Sequence, residues 1–242
     1  MGVLVVLPLR ANESGGEAPK QEPAPEAVAA LKLPGLKINL EEKSVDVDAT
    51  VCLRTGFLEL VACTKDSKEH ESILSVDAKP SHIHAALLLL GAKPGNPAMR
   101  KPLNEEMTRW VDLPPRGGKV KVSLVFAAEG GEAKEFPISK FISRNSGEVE
   151  GIEVDEEEAG QPFPTSTFLF AGSHLYKPKE GKPRYLAEES GNVISIATFG
   201  DELLCLPGVH AKDNWALVWE VDPTDLPALD AKVVLRLKPE IN

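Results

Sequence analysis

The stretch Arg54–Gly95, RTGFLELVACTKDSKEHESILSVDAKPSHIHAALLLLGAKPG, decides how this chain is read. It follows an alternating segment, Ser44–Leu53, in which Val45, Val47, Ala49, Val51 and Leu53 fall on one face. Asp46, Asp48, Thr50 and Cys52 fall on the other. That period of two marks a half-buried strand. The run Phe57–Cys63 comes next, after Arg54-Thr55-Gly56. A tight turn centred on Thr55-Gly56 pairs Leu53 with Leu58, Val51 with Leu60 and Ala49 with Ala62, all on the apolar face. The same register pairs Cys52 with Glu59 and Asp48 with Cys63, so the two cysteines are not cross-strand partners and a disulfide between them is disfavoured. The stretch then turns helical at Ser81–Leu90. Ser81 suits an N-cap, Gly91 a C′ position, and Ile83, Ala86, Leu87 and Leu90 form one apolar stripe.

Outward from this unit, the segments 37–40 and 44–53 read as strand, turn and strand. Strands are also expected at 120–128, 135–141, 167–176, 184–187, 192–199, 215–221 and 232–237, with one helical turn at 201–206. The pairs SLVFAA and TFLFAG hint at a duplicated hairpin. The expected class is α+β: mostly antiparallel β-sheet with one prominent helix near 81–90, divisible into two β-rich halves at the acidic loop near 145–160.

The chain has 242 residues and a formal charge of −10. A chain of this length can bury roughly 70% of its unfolded surface, enough for one large domain. No cluster of lysines and arginines offers a phosphate-binding surface, so nucleic acid is excluded as a partner. No apolar run approaches the length of a transmembrane span. The run Val3–Leu9 reads either as the tail of an export signal whose start is missing or as an ordinary N-terminal strand. Residues 11–30, rich in Glu, Pro, Ala and Gly, read as a flexible linker, so 1–32 form a leader and tether and 33–242 the folded domain.

The cysteines are Cys52, Cys63 and Cys205, with no CxxC pair. Three cannot ligate a four-cysteine iron–sulfur cluster, which places a redox carrier last among the functions.

The blocks TGFLELVAC, KEHES and AKPSHIHAALLLLGAKPG, with the later SGNVISIATFGDELLCLPG and VVLRLKP, resemble the YdjY-like domain family of bacterial exported proteins. The resemblance runs from about Leu33 onward. It implies a periplasmic or envelope protein of no settled activity. Some members carry a ferredoxin-like label, for which this chain is one cysteine short.

Candidate chemistry centres on Lys68-Glu69-His70-Glu71-Ser72. A histidine beside carboxylates suits acid–base work or metal binding, although adjacent charges are as common in a plain solvated turn. His70 and Glu71, joined by His84, Glu59 or Cys63, are the candidate ligands of a divalent metal; no other cofactor is implied. His82 and His84, about 200° apart on a helix, cannot share one ion. Cys63 or Cys52 beside Glu59 could supply a nucleophile, but cysteines on strands are more often small buried hydrophobes. His174 reads as a strand histidine, and His210 sits in a loop. Asp155–Glu158 lack the ligand spacing of a calcium loop, and Trp215 and Trp219 suit core packing. No GxSxG, P-loop or dinucleotide motif is present. The leading expectation is a non-catalytic envelope module that binds a protein or a small ligand. A metal-binding protein or metal-dependent hydrolase at His70 is the alternative.

Overall fold

The computed structural model describes residues 33–127, 131–145, 160–210 and 218–241. The leader and linker at 1–32, most of the acidic loop and Trp215 lie outside the described residues. The strands, in chain order, are β1 Leu36–Asn39, β2 Ser44–Val51, β3 Leu60–Thr64, β4 Ser72–Val76, β5 Met99–Pro102, β6 Trp110–Leu113, β7 Lys119–Ala127 and β8 Ala133–Pro137. They continue with β9 Ile142–Arg144, β10 Thr167–Phe170, β11 Leu175–Tyr176, β12 Arg184–Tyr185, β13 Asn192–Ser195, β14 Leu204–Cys205, β15 Trp219–Val221 and β16 Lys232–Pro239. Among the described residues two α-helices interrupt them, α1 at Pro80–Leu89 and α2 at Leu186–Ser190.

Eight strands close into a barrel in the order β2-β16-β7-β10-β14-β13-β3-β4, with β4 returning to β2. Two pairings, β3–β4 and β13–β14, are parallel and the rest of the ring is antiparallel. This corrects the expected class. The molecule is a closed mixed β-barrel, not an α+β fold built on an antiparallel sheet and one prominent helix. Nor does it divide into two β-rich halves: β2 pairs with β16, and β3 with β13, so the ring draws on both ends of the sequence.

Cross-strand partners share a face, so the register identifies the inward row. It runs Val51–Leu74–Ala62–Ile194–Leu204–Phe170 through five successive pairings. On the other side of the ring it runs Val47–Leu235–Leu124. All nine side chains are buried in one continuous core, which Ile83, Ala86, Leu87 and Leu90 of α1 join. The barrel interior is therefore packed with side chains, as small barrels are.

The expected β2–β3 hairpin does not form. After β2 the chain follows the segment around β15 instead of doubling back. Leu58 N–H donates to the Trp219 carbonyl, Val221 N–H to that of Gly56, and Phe57 bridges Glu220. The Arg54 guanidinium anchors the excursion on the Pro223 and Leu226 carbonyls. β4 then enters the gap between β2 and β3, pairing Val51 with Leu74 on one side and Ala62 with Leu74 on the other. Every residue of β4 is buried, so it shows none of the alternation that marks a half-exposed strand.

Other expectations shift by smaller amounts. The apolar stripe and Gly91 (φ +89°) stand as expected for α1, but Lys79 is the N-cap and Pro80 the first helical residue. Ser81 sits one residue inside and donates its hydroxyl to Glu188. The segment 201–206, expected as a helical turn, contains β14. TFLFAG does not open a second hairpin, because β10 pairs with β7 and β14.

On the outward face, Arg236 of β16 grips both carboxylate oxygens of Asp46 at 2.7 Å and Glu135 at 2.9 Å. Burial works against ionisation of Glu135, but the Ser123 hydroxyl, Arg236 and Lys238 together hold its carboxyl below the usual range. Replacing Arg236 by methionine is expected to cost about 1–3 kcal/mol, because a bidentate, charge-assisted contact is lost and two carboxylates are left facing each other. Urea titration of both proteins checks this; an unchanged midpoint would mean that the ion pairs add nothing to the fold.

Candidate functional site

The parallel β3–β4 pairing forces the chain to return across the barrel exterior, and residues 65–71 make that return. Lys65 N–H bonds to the Val76 carbonyl, Asp66 adopts φ +61°, and a 3-10 turn at Glu69–Glu71 leads into β4. The Ser72 hydroxyl donates to the Lys68 carbonyl at 2.8 Å, tying the end of the connector to its middle. The Lys68 ammonium lies 3.6 Å from the centre of the Phe199 ring and 3.6 Å from Glu71.

Beside this connector opens a cleft of about 420 Å³ whose walls include Cys52, Lys65, Glu69, Ser75, Asp230 and Lys232. Its floor is the outward face of the sheet, where Thr50 pairs with Ser75 and Ser75 with Cys63. Lys232 donates to the Thr50 hydroxyl at 2.7 Å, crossing from β16 to β2. Both signs of charge line the walls.

The two N-terminal cysteines meet here. Cys52 donates its thiol to the Ser72 carbonyl at 3.1 Å and shares a side-chain hydrogen bond with Cys63. Cys63 is fully buried beneath the connector, beside the Ser72 and Ser67 side chains and the Lys68 backbone. The Cys52 side chain lowers the Cys63 thiol, burial opposes the shift, and the polar groups of Ser72, Ser67 and Lys68 add to the lowering. Cys52 moves the opposite way, pushed far up by the neighbouring sulfur, by burial and by the Glu69 charge. The sequence register had placed these cysteines apart, opposite Asp48 and Glu59. The insertion of β4 brings their side chains together. Cys205, buried on β14, is pushed up to about 12 by burial and by Glu202.

The residues expected to ligate a metal do not assemble. The His70 side chain is 78% exposed, and its Nε2 is 3.6 Å from Glu71, its own neighbour. Glu59 is buried beside β3, with its backbone bonded to Glu71, Ile196 and Ala197. Among the described residues no three His, Cys, Asp or Glu side chains come together as a metal site.

His84 occupies a different environment. It is half-buried against the edge of Phe170, and its Nδ1 is 2.8 Å from the Tyr185 hydroxyl, which in turn lies 2.8 Å from the Gly172 carbonyl. A hydroxyl has one proton; if Tyr185 gives it to Gly172, His84 must carry its own on Nδ1. Gly172 (φ +83°) is required here, since a Cβ would stand 3.2 Å from the His84 ring and 3.1 Å from Pro94. Burial holds the imidazole below its ordinary value of 6.5. The unfolded chain therefore takes up this proton first as pH falls, and stability declines below about pH 6.5 while the histidine has no effect above it. In His84→Gln, that part of the decline should vanish in urea titrations run between neutral pH and about pH 5. Equal slopes in the two proteins would show that His84 is not the group responsible.

Of the remaining candidates, Trp219 packs edge-on against Phe163 at 4.8 Å. His210 is exposed and bonds to the Pro207 carbonyl. His174 is partly buried and bonds to Leu186 through its backbone. Sequence reasoning missed the serines that surround the thiols and the contribution of Asp230 and Lys232, which reach the cleft from the far end of the chain. One signal was present: the alternation of 44–53 puts Cys52 on the polar face with Thr50.

A closed eight-stranded mixed barrel with a packed interior and a charged exterior cleft is the class of protein these features define. The family model of the YdjY domain matches residues 36–238, and the chain belongs to that family. Neither a curated protein nor a solved structure matches it. Among the described residues no helix is long and apolar enough to cross a membrane.

Proposed function

We propose that this chain is a non-catalytic binding module of the bacterial envelope that receives its partner in the cleft beside residues 65–71. The observation that carries this reading is the cleft of about 420 Å³ on the barrel exterior. The interior is filled by the core, so a ligand has no room inside the ring, and the outward cleft offers a concave surface instead. Its walls carry Lys65 and Lys232 against Glu69 and Asp230, which suits a polar partner presenting both charges, such as a protein segment. Export to the envelope is part of the proposal and rests on the family likeness.

Two measurements test it. A photo-crosslinking residue at Leu229, in the cleft wall, should trap one recurrent envelope protein in the native host. The same residue at Lys134, on the exposed β8, should not. Equal yields at the two positions would defeat the assignment of the cleft. Fractionation of the full-length chain should place it outside the cytoplasm, and recovery in the cytoplasm would defeat the envelope assignment.

The His70 metal reading has no second ligand outside its own segment among the described contacts and is not carried further.

A further inference from the structure

We propose that the outer edge of β6 is a self-association surface, to which a second copy of this chain adds its own β6, antiparallel, across a twofold axis at Val111. Among the described residues β5 and β6 form a two-stranded ribbon that pairs with no other strand, and no residue from 99 to 113 is buried. A lone ribbon is marginally stable in water; further strands and a covered apolar face are what stabilise one. This ribbon leaves Met99, Leu103, Trp110 and Val111 exposed. Its register sets two faces. Met99 with Leu113, and Lys101 with Val111, lie on one. Arg100 with Asp112, joined as an ion pair at 3.0 Å, and Pro102 with Trp110 lie on the other.

The phase of the hydrogen bonds decides which edge is open. Leu103 N–H donates to the Arg109 carbonyl at 2.8 Å, so the odd-numbered residues bond to one another across the ribbon. The even-numbered residues turn their backbone groups outward. On the β5 side these are Arg100 and Pro102, and proline has no N–H to give. On the β6 side they are Trp110 and Asp112, and among the described residues neither N–H is bonded to another segment. Pro114 and Pro115 end that run. Such an edge is complementary to itself. Trp110 of each copy meets Asp112 of the other, each pair exchanging two backbone bonds, and a four-stranded sheet results. The two Val111 side chains then face each other at the axis, and the two Trp110 rings become diagonal neighbours on the opposite face. Charge favours a second copy as the occupant. Residues 99–113 set Arg100, Lys101 and Arg109 against Glu105, Glu106 and Asp112, a neutral stretch in a chain of −10. Two copies can meet there without the repulsion between their bodies, whereas a neutral ribbon is not steered toward an anionic membrane or polyion. By contrast β8, which pairs only with β7, carries Lys134 and Pro137, residue types that blunt a strand edge. The proposal is independent of what the cleft binds.

The test uses the full chain, reduced, in sedimentation and light scattering over a range of micromolar concentrations. A reversible dimer of twice the chain mass is expected. Asp112→Pro removes the outward N–H and spares the bonds inside the ribbon, while Val111→Asp sets like charges opposite each other at the axis. Each should weaken dimerisation by about tenfold or more. Met107→Lys, at the 61% exposed tip of the ribbon and outside the paired edge, should leave it unchanged. In Val111→Cys, mild oxidation should link two copies through residue 111, because directly opposed residues at such a position stand about 4.5 Å apart at Cα, within disulfide reach. Met107→Cys should not link. A monomer at every concentration would overturn the proposal, as would a dimer left intact by either edge variant, or linkage through 107 as ready as through 111. If circular dichroism shows an edge variant unfolded, the linkage at 111, which alters no backbone group, decides the question.

Discussion

Leu74→Ala is expected to destabilise the protein by about 2–5 kcal/mol, the range for deleting most of a fully buried leucine. Leu74 lies on the strand that completes the ring. Val51 faces it from β2 and Ala62 from β3, and its side chain is wholly inaccessible. Alanine would leave a void at the junction of three strands. Their paths are fixed by backbone hydrogen bonds on both sides of β4, so collapse around the void is limited and the cost belongs in the upper part of the range. Urea denaturation should show a lower midpoint with an unchanged slope. Leu88→Ala, at a 45% exposed position on α1, should stay within about 0.5 kcal/mol and serves as the comparison. A Leu74→Ala cost no larger than that of Leu88→Ala would mean that β4 does not close the barrel.

Gly95→Ala is the second change with a large expected effect. The segment following α1 presses its backbone against the approach to β7. Gly95 N–H donates to the Phe170 carbonyl at 2.9 Å, and Asn96 and Arg116 exchange a pair of backbone bonds. A Cβ on Gly95 would overlap the Arg116 carbonyl and the Gly117 amide. The obstructing atoms are backbone already committed to hydrogen bonds, so no rotamer change relieves the overlap. Either those bonds break or the segment lifts from β10, and a loss of roughly 3 kcal/mol or more is expected. Thermal unfolding of Gly95→Ala beside Gly131→Ala separates close approach from loss of glycine in general. A Cβ at Gly131 meets nothing, although its φ of +84° carries a strain of its own. If both variants unfold alike, the close approach is not what requires glycine at 95.

Much of the strand content could be read from the chain because it lies half in water. β2, β7 and β16 have one face on the core and one on solvent, and their alternation is visible in Val45–Val51, Val120–Leu124 and Val233–Leu237. β4 and β14 are covered on both faces. Ser72–Val76 and Glu202–Leu206 are buried throughout and show no period, so the first has no signature and the second resembles a helical turn. Pairing was less legible still. A tight turn at Thr55-Gly56 agrees with the apolar pattern of both flanking segments, and nothing local to them reveals that the strand beginning at Ser72 takes the place between. The same limit governed the site. Cys52 and Cys63 were visible as candidates, but their meeting depends on β4. The cleft wall at Asp230 and Lys232 depends on β16, far along the chain. His70 stood out because its neighbours are charged, which is equally true of a residue that simply faces water.

The placement of β16 has a consequence for biogenesis. It is wedged between β2 and β7, hydrogen-bonded along both edges. Until residues 232–239 have emerged from the ribosome, β2 and β7 present unsatisfied edges, and the ring stays open on that side. Contacts this distant in sequence form slowly, which leaves the nascent chain open to aggregation until β16 has been made. A holding chaperone that covers those edges would act until β16 arrives, and a truncation that removes β16 should yield insoluble protein, not a smaller folded unit.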